Sequence, residues 1–128
     1  MNDQESLFYA TENGQIISQE LIHPYAKKTY PICETNVTDY DINDSNEILV
    51  GAGQDGTFVA WNLPLNMELR RVRQKEGVFV KFCRFLPRNN NLIICALSNG
   101  LLQVLNISTG MFRELNHLNY FIYFFMFE

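Results

Sequence analysis

The chain has 128 residues, 47% of them apolar and 19% charged, the balance of a single globular domain, which excludes a disordered, collagen-like or linker polypeptide. Its 10 Lys and Arg against 14 Asp and Glu leave a net charge of -4, which argues against a general nucleic-acid binder because that class needs a basic surface. No apolar run reaches the roughly 18–20 residues of a membrane-spanning helix.

Residues 1–6 are polar and acidic rather than basic and apolar, so a chain of the cytoplasm and also the nucleus is expected. Cys33, Cys83 and Cys95 form no C-x-x-C pair and have no histidine cluster nearby, whereas zinc needs about four closely placed ligands. Three reduced thiols packed as small hydrophobes are expected, with no metal and no cofactor.

In chain order, the first extended run is Leu7 to Ala10, followed by Thr11, Glu12, Asn13 and Gly14, and then a second run from Gln15 to Leu21. The strand-forming stretch Val37 to Ile42 comes next. Leu49 to Ala52 then leads into Asp55-Gly56 and a run from Thr57 to Leu63. After a turn at Pro64, Leu65 and Asn66, a further strand fits Met67 to Val72. The series returns with Val80 to Pro87, then Ile93 to Ala96 leading to Asn99-Gly100, then Leu101 to Ile107, and Met111 to Leu115 after a turn at Ser108, Thr109 and Gly110.

The glycines at 14, 56 and 100 are 42 and 44 residues apart, and each follows Asn or Asp between two extended runs. That is a hairpin signal, and it predicts a two-residue type I′ turn in which both residues take positive φ. Val80 to Pro87 carries apolar residues on both faces, as an inner strand packed on both sides does. β-Branched and aromatic residues dominate the runs, and no window holds a helical apolar stripe. Four short strands every 40–45 residues or so is the arithmetic of a propeller blade.

The stretch from Leu49 to Leu63 resembles the core of a WD40 repeat, with Trp61-Asn62 where that family has its Trp-Asp dipeptide. The third repeat has Leu105-Asn106 there and the first has Gln19-Glu20. The resemblance covers residues 5 to about 116 and implies an all-β fold, a partial WD40 β-propeller of about three four-stranded blades over about 1–32, 33–76 and 77–116, with the ring not closed. A closed propeller has about 4–8 blades, and an open array leaves strand edges through which copies can self-associate. In the family, Trp, Asp, Ser/Thr and His brace each blade. Trp61 and Asp55 are kept here, Gly51 stands at the Ser/Thr position, and Glu76 or Gly77 lies near that of the histidine, so the bracing is incomplete. Trp61, Gly56 and Gly100 are expected in the blade core.

Glu68 to Val72, followed after ten residues by Cys83 to Pro87, with Pro24-Tyr25 and Val37 to Ile42 upstream, is similar to a stretch of the proteasomal ATPase-associated WD-repeat factors. That similarity implies a chaperone that binds a proteasomal ATPase subunit during assembly of the 26S proteasome regulatory particle. The alternatives are a generic WD40 adaptor, such as a ubiquitin-ligase substrate receptor, and a truncated propeller product with no function of its own.

WD40 propellers usually meet partners on the rim formed by the loops between second and third strands and between blades. By resemblance these positions are Gln54, Asp55, Gln74, Lys75, Glu76, Ser98 and Asn99. Arg70, Arg71, Arg73 and Lys75 form the basic cluster; flanked by Glu68 and Glu76, they are expected to be a solvated outer strand rather than an anion site. Asp39 and Asp41 share one strand face and are expected at a polar loop end. His23 and His117 lie outside any motif, no Gly-x-Ser-x-Gly, phosphate loop or His-Glu-x-x-His occurs, and a binding protein rather than an enzyme is expected. Residues 117–128 hold an aromatic tail with six of the chain's 17 aromatics in its last ten residues. It reads as a membrane or partner anchor, as a strand covering an open edge, or, with most weight, as a non-native or truncation-derived end.

Overall fold

The computed structural model describes residues 6–22 and 26–115. The tail over 117–128, both histidines and Pro24-Tyr25 lie outside the described residues. The strands are β1 (Ser6–Ala10), β2 (Gln15–Glu20), β3 (Lys27–Pro31), β4 (Val37–Ile42), β5 (Ile48–Gly53), β6 (Thr57–Asn62), β7 (Met67–Arg73), β8 (Val80–Phe85), β9 (Leu92–Leu97), β10 (Leu102–Asn106) and β11 (Met111–Glu114). They form three antiparallel meanders in the orders β1-β2-β3, β4-β5-β6-β7 and β8-β9-β10-β11. The fold is all-β, as expected, and the ring is open. Two sheets have the four strands expected, whereas the first has three among the described residues. By its hairpin, β1 corresponds to β5 and β9, so the strand corresponding to β4 and β8 is the one that the first sheet lacks there.

The hairpins fall where expected, but their turns are not type I′. Gly14, Gly56 and Gly100 have φ of 82°, 94° and 90°, and Asn13, Asp55 and Asn99 are not among the positive-φ residues. The Gly56 N–H donates to Gly53 O at 3.0 Å and the Gly100 N–H to Leu97 O at 3.0 Å, each closing a turn whose fourth residue is the left-handed glycine. This is the longer hairpin loop, a turn followed by a glycine bulge. It leaves Asp55 and Asn99 in ordinary backbone regions with side chains free to accept from the chain two residues on. Asp55 Oδ1 accepts from Thr57 N at 3.0 Å and Asn99 Oδ1 from Leu101 N at 3.1 Å.

Two cores lie in the two seams between sheets. Ile16, Tyr30, Ile32, Leu49 and Val59 are buried between the first and second sheets, with Phe8, Tyr40, Ile42 and Trp61 packed against them. Between the second and third sheets, Val50, Ala52, Phe58 and Ala60 meet Cys83, Phe85, Ile93, Cys95, Leu97, Leu105 and Ile107. Strands β5 and β6 therefore send alternate residues into opposite seams, the period-2 logic of a sheet covered on both faces.

Asp39 and Asp41 lie not at a loop end but in the second seam. Asp39 Oδ2 accepts from Cys83 N at 2.9 Å and Asp41 Oδ2 from Phe85 N at 2.9 Å. The Arg84 guanidinium adds a 2.7 Å contact to Asp39. These carboxylates satisfy N–H groups on the edge of β8 that has no strand partner among the described residues, as a neighbouring strand would otherwise do. Thr38 Oγ1 donates to Val80 O on the same edge.

Candidate functional site

Hairpins β1-β2, β5-β6 and β9-β10 turn at the same end of their sheets as the links β3 to β4 and β7 to β8, because each meander reverses at every strand. Gln54, Asp55, Ser98, Asn99, Gln74, Lys75 and Glu76 thus share one rim. Gln54, Lys75, Glu76 and Asn99 are exposed; Asp55, Gln74 and Ser98 are partly covered.

Backbone hydrogen bonds run along this rim from turn to link to turn. Gly14 O accepts from Cys33 N at 3.1 Å, Asn36 O from Gln54 N at 2.9 Å, Gly56 O from Gln74 N at 2.9 Å and Phe79 O from Ser98 N at 2.8 Å. Ser98 Oγ also accepts from Phe79 N at 3.1 Å, and the Gln74 amide donates to Gln103 Oε1 at 3.1 Å. Gln74 and Ser98 are therefore committed to holding the rim, and Asp55 is too. Burial pushes its carboxyl up, but hydrogen bonds from the Thr57 N–H and hydroxyl and from Glu34 N, with the charge of Arg73, hold it below the ordinary aspartate value. Gln54, Lys75, Glu76 and Asn99 are left facing solvent on a rigid frame.

Gly56 and Gly100 differ. Gly56 is buried, and a Cβ there would lie 2.9 Å from Val78 O of the following link. Gly100 is exposed with nothing within 4 Å of such an atom, so its expected place in the blade core is corrected. The described residues contain no link after the third sheet to cover it. Trp61 is partly buried in the first seam, where its ring meets Tyr30 edge to face at a centroid distance of 5.7 Å. Among the described residues its buried Nε1 has no hydrogen-bond partner, and Gly51 offers no hydroxyl. A Cβ on Gly51 would lie 2.9 Å from Ile32 Cδ1 and 3.0 Å from Ile16 Cδ1, so apolar atoms of the first sheet take the space of a bracing side chain.

As expected, β7 is a mostly solvated outer strand, with the Arg71 and Arg73 side chains 43% and 65% exposed, yet its arginines also bind backbone carbonyls. Arg70 donates through Nε to Ile107 O at 3.0 Å and through Nη2 to Ser108 O at 2.6 Å, both in the third sheet's outer turn. Arg71 donates to Ile32 O of the first sheet at 3.0 Å and pairs with Glu68 at 2.9 Å. Arg73 donates to Asp55 O at 3.0 Å. Successive arginines on β7 so reach in opposite directions and tie the middle sheet to both neighbours, which commits their forks to carbonyls rather than to an external anion. No sequence signal marks this role, because the partners are backbone atoms 18 to 39 residues away.

At the opposite end an open cleft of about 840 Å³ lies between the first two sheets, lined by Phe8, Glu20, Lys28, Tyr30, Glu47 and Leu63 among others. Among the described residues no group of three or more His, Cys, Asp or Glu is placed to hold a metal ion.

No protein-family model matches the chain. Among solved structures it is similar to the β-propeller domain of Cps50 (Swd1) from Myceliophteria thermophila, with a TM-score of 0.75 and 17% identity over 86% of this chain and 34% of that one. It is also similar to U3-55K, with a TM-score of 0.73 and 13% identity over 86% of this chain and 35% of that one. The chain spans about a third of the length of either. The shared fold is that of successive β-propeller blades, the architecture that the resemblance to WD40 repeats implies.

Proposed function

We propose that this chain is a WD40-type protein-interaction scaffold that presents its rim to a protein partner, and that the partner is a proteasomal ATPase subunit bound during assembly of the 26S proteasome regulatory particle. The observation that carries the scaffold reading is the rim itself: Gln54, Lys75, Glu76 and Asn99 stand exposed on turns and links joined by a continuous series of backbone hydrogen bonds. Side chains held on a rigid frame lose little entropy when a partner arrives. The proteasomal partner is supported by the similarity of Glu68 to Val72 and Cys83 to Pro87 to that group of factors. The reading carries no catalytic step and places the chain in the cytoplasm and nucleus.

The test is binding of the whole chain to purified proteasomal ATPase subunits. Q54R combined with K75E is expected to weaken Kd about tenfold, equivalent to about 1.4 kcal/mol, with no change in melting temperature. Recovery of a ubiquitin-ligase adaptor or chromatin proteins instead rejects the proteasomal partner and keeps the scaffold.

A second reading, a truncated product without activity, is favoured by one observation. The outward face of the third sheet leaves Phe82 44% and Met111 68% exposed. Repeat boundaries near 32 and 76 are common to both readings, and a non-native or truncation-derived tail over 117–128 belongs to this one. A soluble monomer with one sharp cooperative melt counts against it; concentration-dependent aggregation counts for it.

A further inference from the structure

Cys83 on β8 and Cys95 on β9 are direct partners across an antiparallel pair. Antiparallel partners alternate between hydrogen-bonded and non-hydrogen-bonded pairs, and the bonds around Cys83 show which kind this is. Its N–H goes to Asp39 Oδ2 at 2.9 Å and its carbonyl accepts from Arg84 Nη1 at 2.6 Å, so both point away from β9. Cys95 for its part is paired with Gln103 on β10. The two cysteines are therefore a non-hydrogen-bonded pair, in which Cα atoms stand about 4.5 Å apart and side chains on the shared face approach most closely. That separation lies within the roughly 4.4–6.8 Å that a disulfide spans. Both residues are fully buried in the second seam, and the thiols are free.

From this geometry we propose that Cys83 and Cys95 are a modification site: a dithiol that closes to a cross-strand disulfide by exchange with a small-molecule disulfide. In the first step the thiolate of one cysteine attacks the small disulfide, forming a mixed disulfide and releasing one small thiol. In the second, the other cysteine's thiolate attacks the mixed disulfide, forming the Cys83–Cys95 bond and releasing the second small thiol. Two protein thiols are oxidised by two electrons, one small disulfide is reduced, and the protons leave with the two released thiols. The bond would pin β8 to its neighbour from within the seam, opposite the edge that Asp39 and Asp41 satisfy.

Burial governs the rate. Desolvation pushes the Cys95 thiol up to about 12 and the Cys83 thiol well above the ordinary value, so exchange starts from openings that part β8 from the second sheet. Cys33 lies in the first seam and is only partly buried, which makes it the competing thiol.

The test uses the full chain carrying Cys33→Ser, so that only the two thiols of interest remain. It is exposed to glutathione disulfide both as folded protein and during refolding from denaturant, so that burial alone does not hide the site. Free thiols are then blocked with a maleimide under denaturing conditions. The expected product is a monomer two hydrogens lighter that takes up no maleimide and yields a linked Cys83–Cys95 peptide; the reduced control takes up two. A chain that in both arms still takes up two, keeps glutathione bound, or forms only intermolecular dimers overturns the proposal.

Discussion

The seam between the first and second sheets and the seam between the second and third are built from the same repeat, yet they close differently. In the second seam, β4 meets β8, and Asp39 and Asp41 answer the outward N–H groups of the incoming strand. In the first seam β4 faces a sheet in which no fourth strand is described, and the corresponding polar link is one bond from Tyr40 to Phe8 O at 3.0 Å. The first seam also holds Trp61 Nε1, which has no partner among the described residues, and borders the open cleft. Apolar packing is common to both; what distinguishes them is whether an inner strand arrives and whether its backbone is satisfied. An unpaired buried donor costs about 1–3 kcal/mol, so this difference is as large as that of a sizeable core side chain.

The largest expected effect separates a hairpin covered by a seam from one that is not. Gly56→Ala places a methyl 2.9 Å from the Val78 carbonyl at a φ of 94°, and Gly100→Ala places it in open space at 90°. The left-handed backbone alone costs about 1–2 kcal/mol, so Gly100→Ala should lose about 1 kcal/mol and Gly56→Ala about 3 kcal/mol, since the link must also move. Urea midpoints measure both. Equal losses would mean that the link yields freely and that coverage does not distinguish the two turns.

Next comes the polar bridge of the second seam. Asp39→Ala leaves the Cys83 N–H without its acceptor and the Arg84 guanidinium without its counter-ion, and should cost about 2–3 kcal/mol. Asp39→Asn keeps an oxygen there and should recover about half of that. Tyr40→Phe in the first seam should cost about 1 kcal/mol. Hydrogen exchange adds direction: Asp39→Ala should expose β8 and leave β2 unchanged. A uniform loss of protection would show that the seams do not open separately.

The contrast between seams also explains what could be read from the sequence. The hairpin positions, the bounds of β4 and the missing partner of Trp61 were legible, because Gly after Asn or Asp, alternating apolar residues and Gly51 in place of a hydroxyl are local signals. Strand β3 was not, since Lys27 to Pro31 carries one buried residue, Tyr30, among four exposed ones. The turn type was missed because Asn-Gly and Asp-Gly serve both a type I′ turn and a turn with a glycine bulge; choosing between them needs the pairing of the flanking strands. Asp39, Asp41, Arg70 and Arg71 look like surface charges in sequence. Their partners are backbone groups of another blade, and a backbone group has no residue type to recognise.

The smallest expected effect uses the third turn as the control for the second. Asp55 and Asn99 occupy equivalent positions and accept the same kind of bond, from Thr57 N and Leu101 N, but only Asp55 titrates. Its folded pKa lies below the ordinary 3.8, so its ionised form stabilises the fold in full above that value, and the contribution is lost as the pH falls through the folded pKa. Acidification below about pH 4 should therefore weaken protection of the Thr57 amide while leaving that of Leu101 level, once both are corrected for intrinsic exchange. Asp55→Asn should flatten the Thr57 profile until the two turns match. If the Thr57 profile keeps its acid slope in that variant, the titrating group lies elsewhere and Asp55 does not set the acid response of its turn.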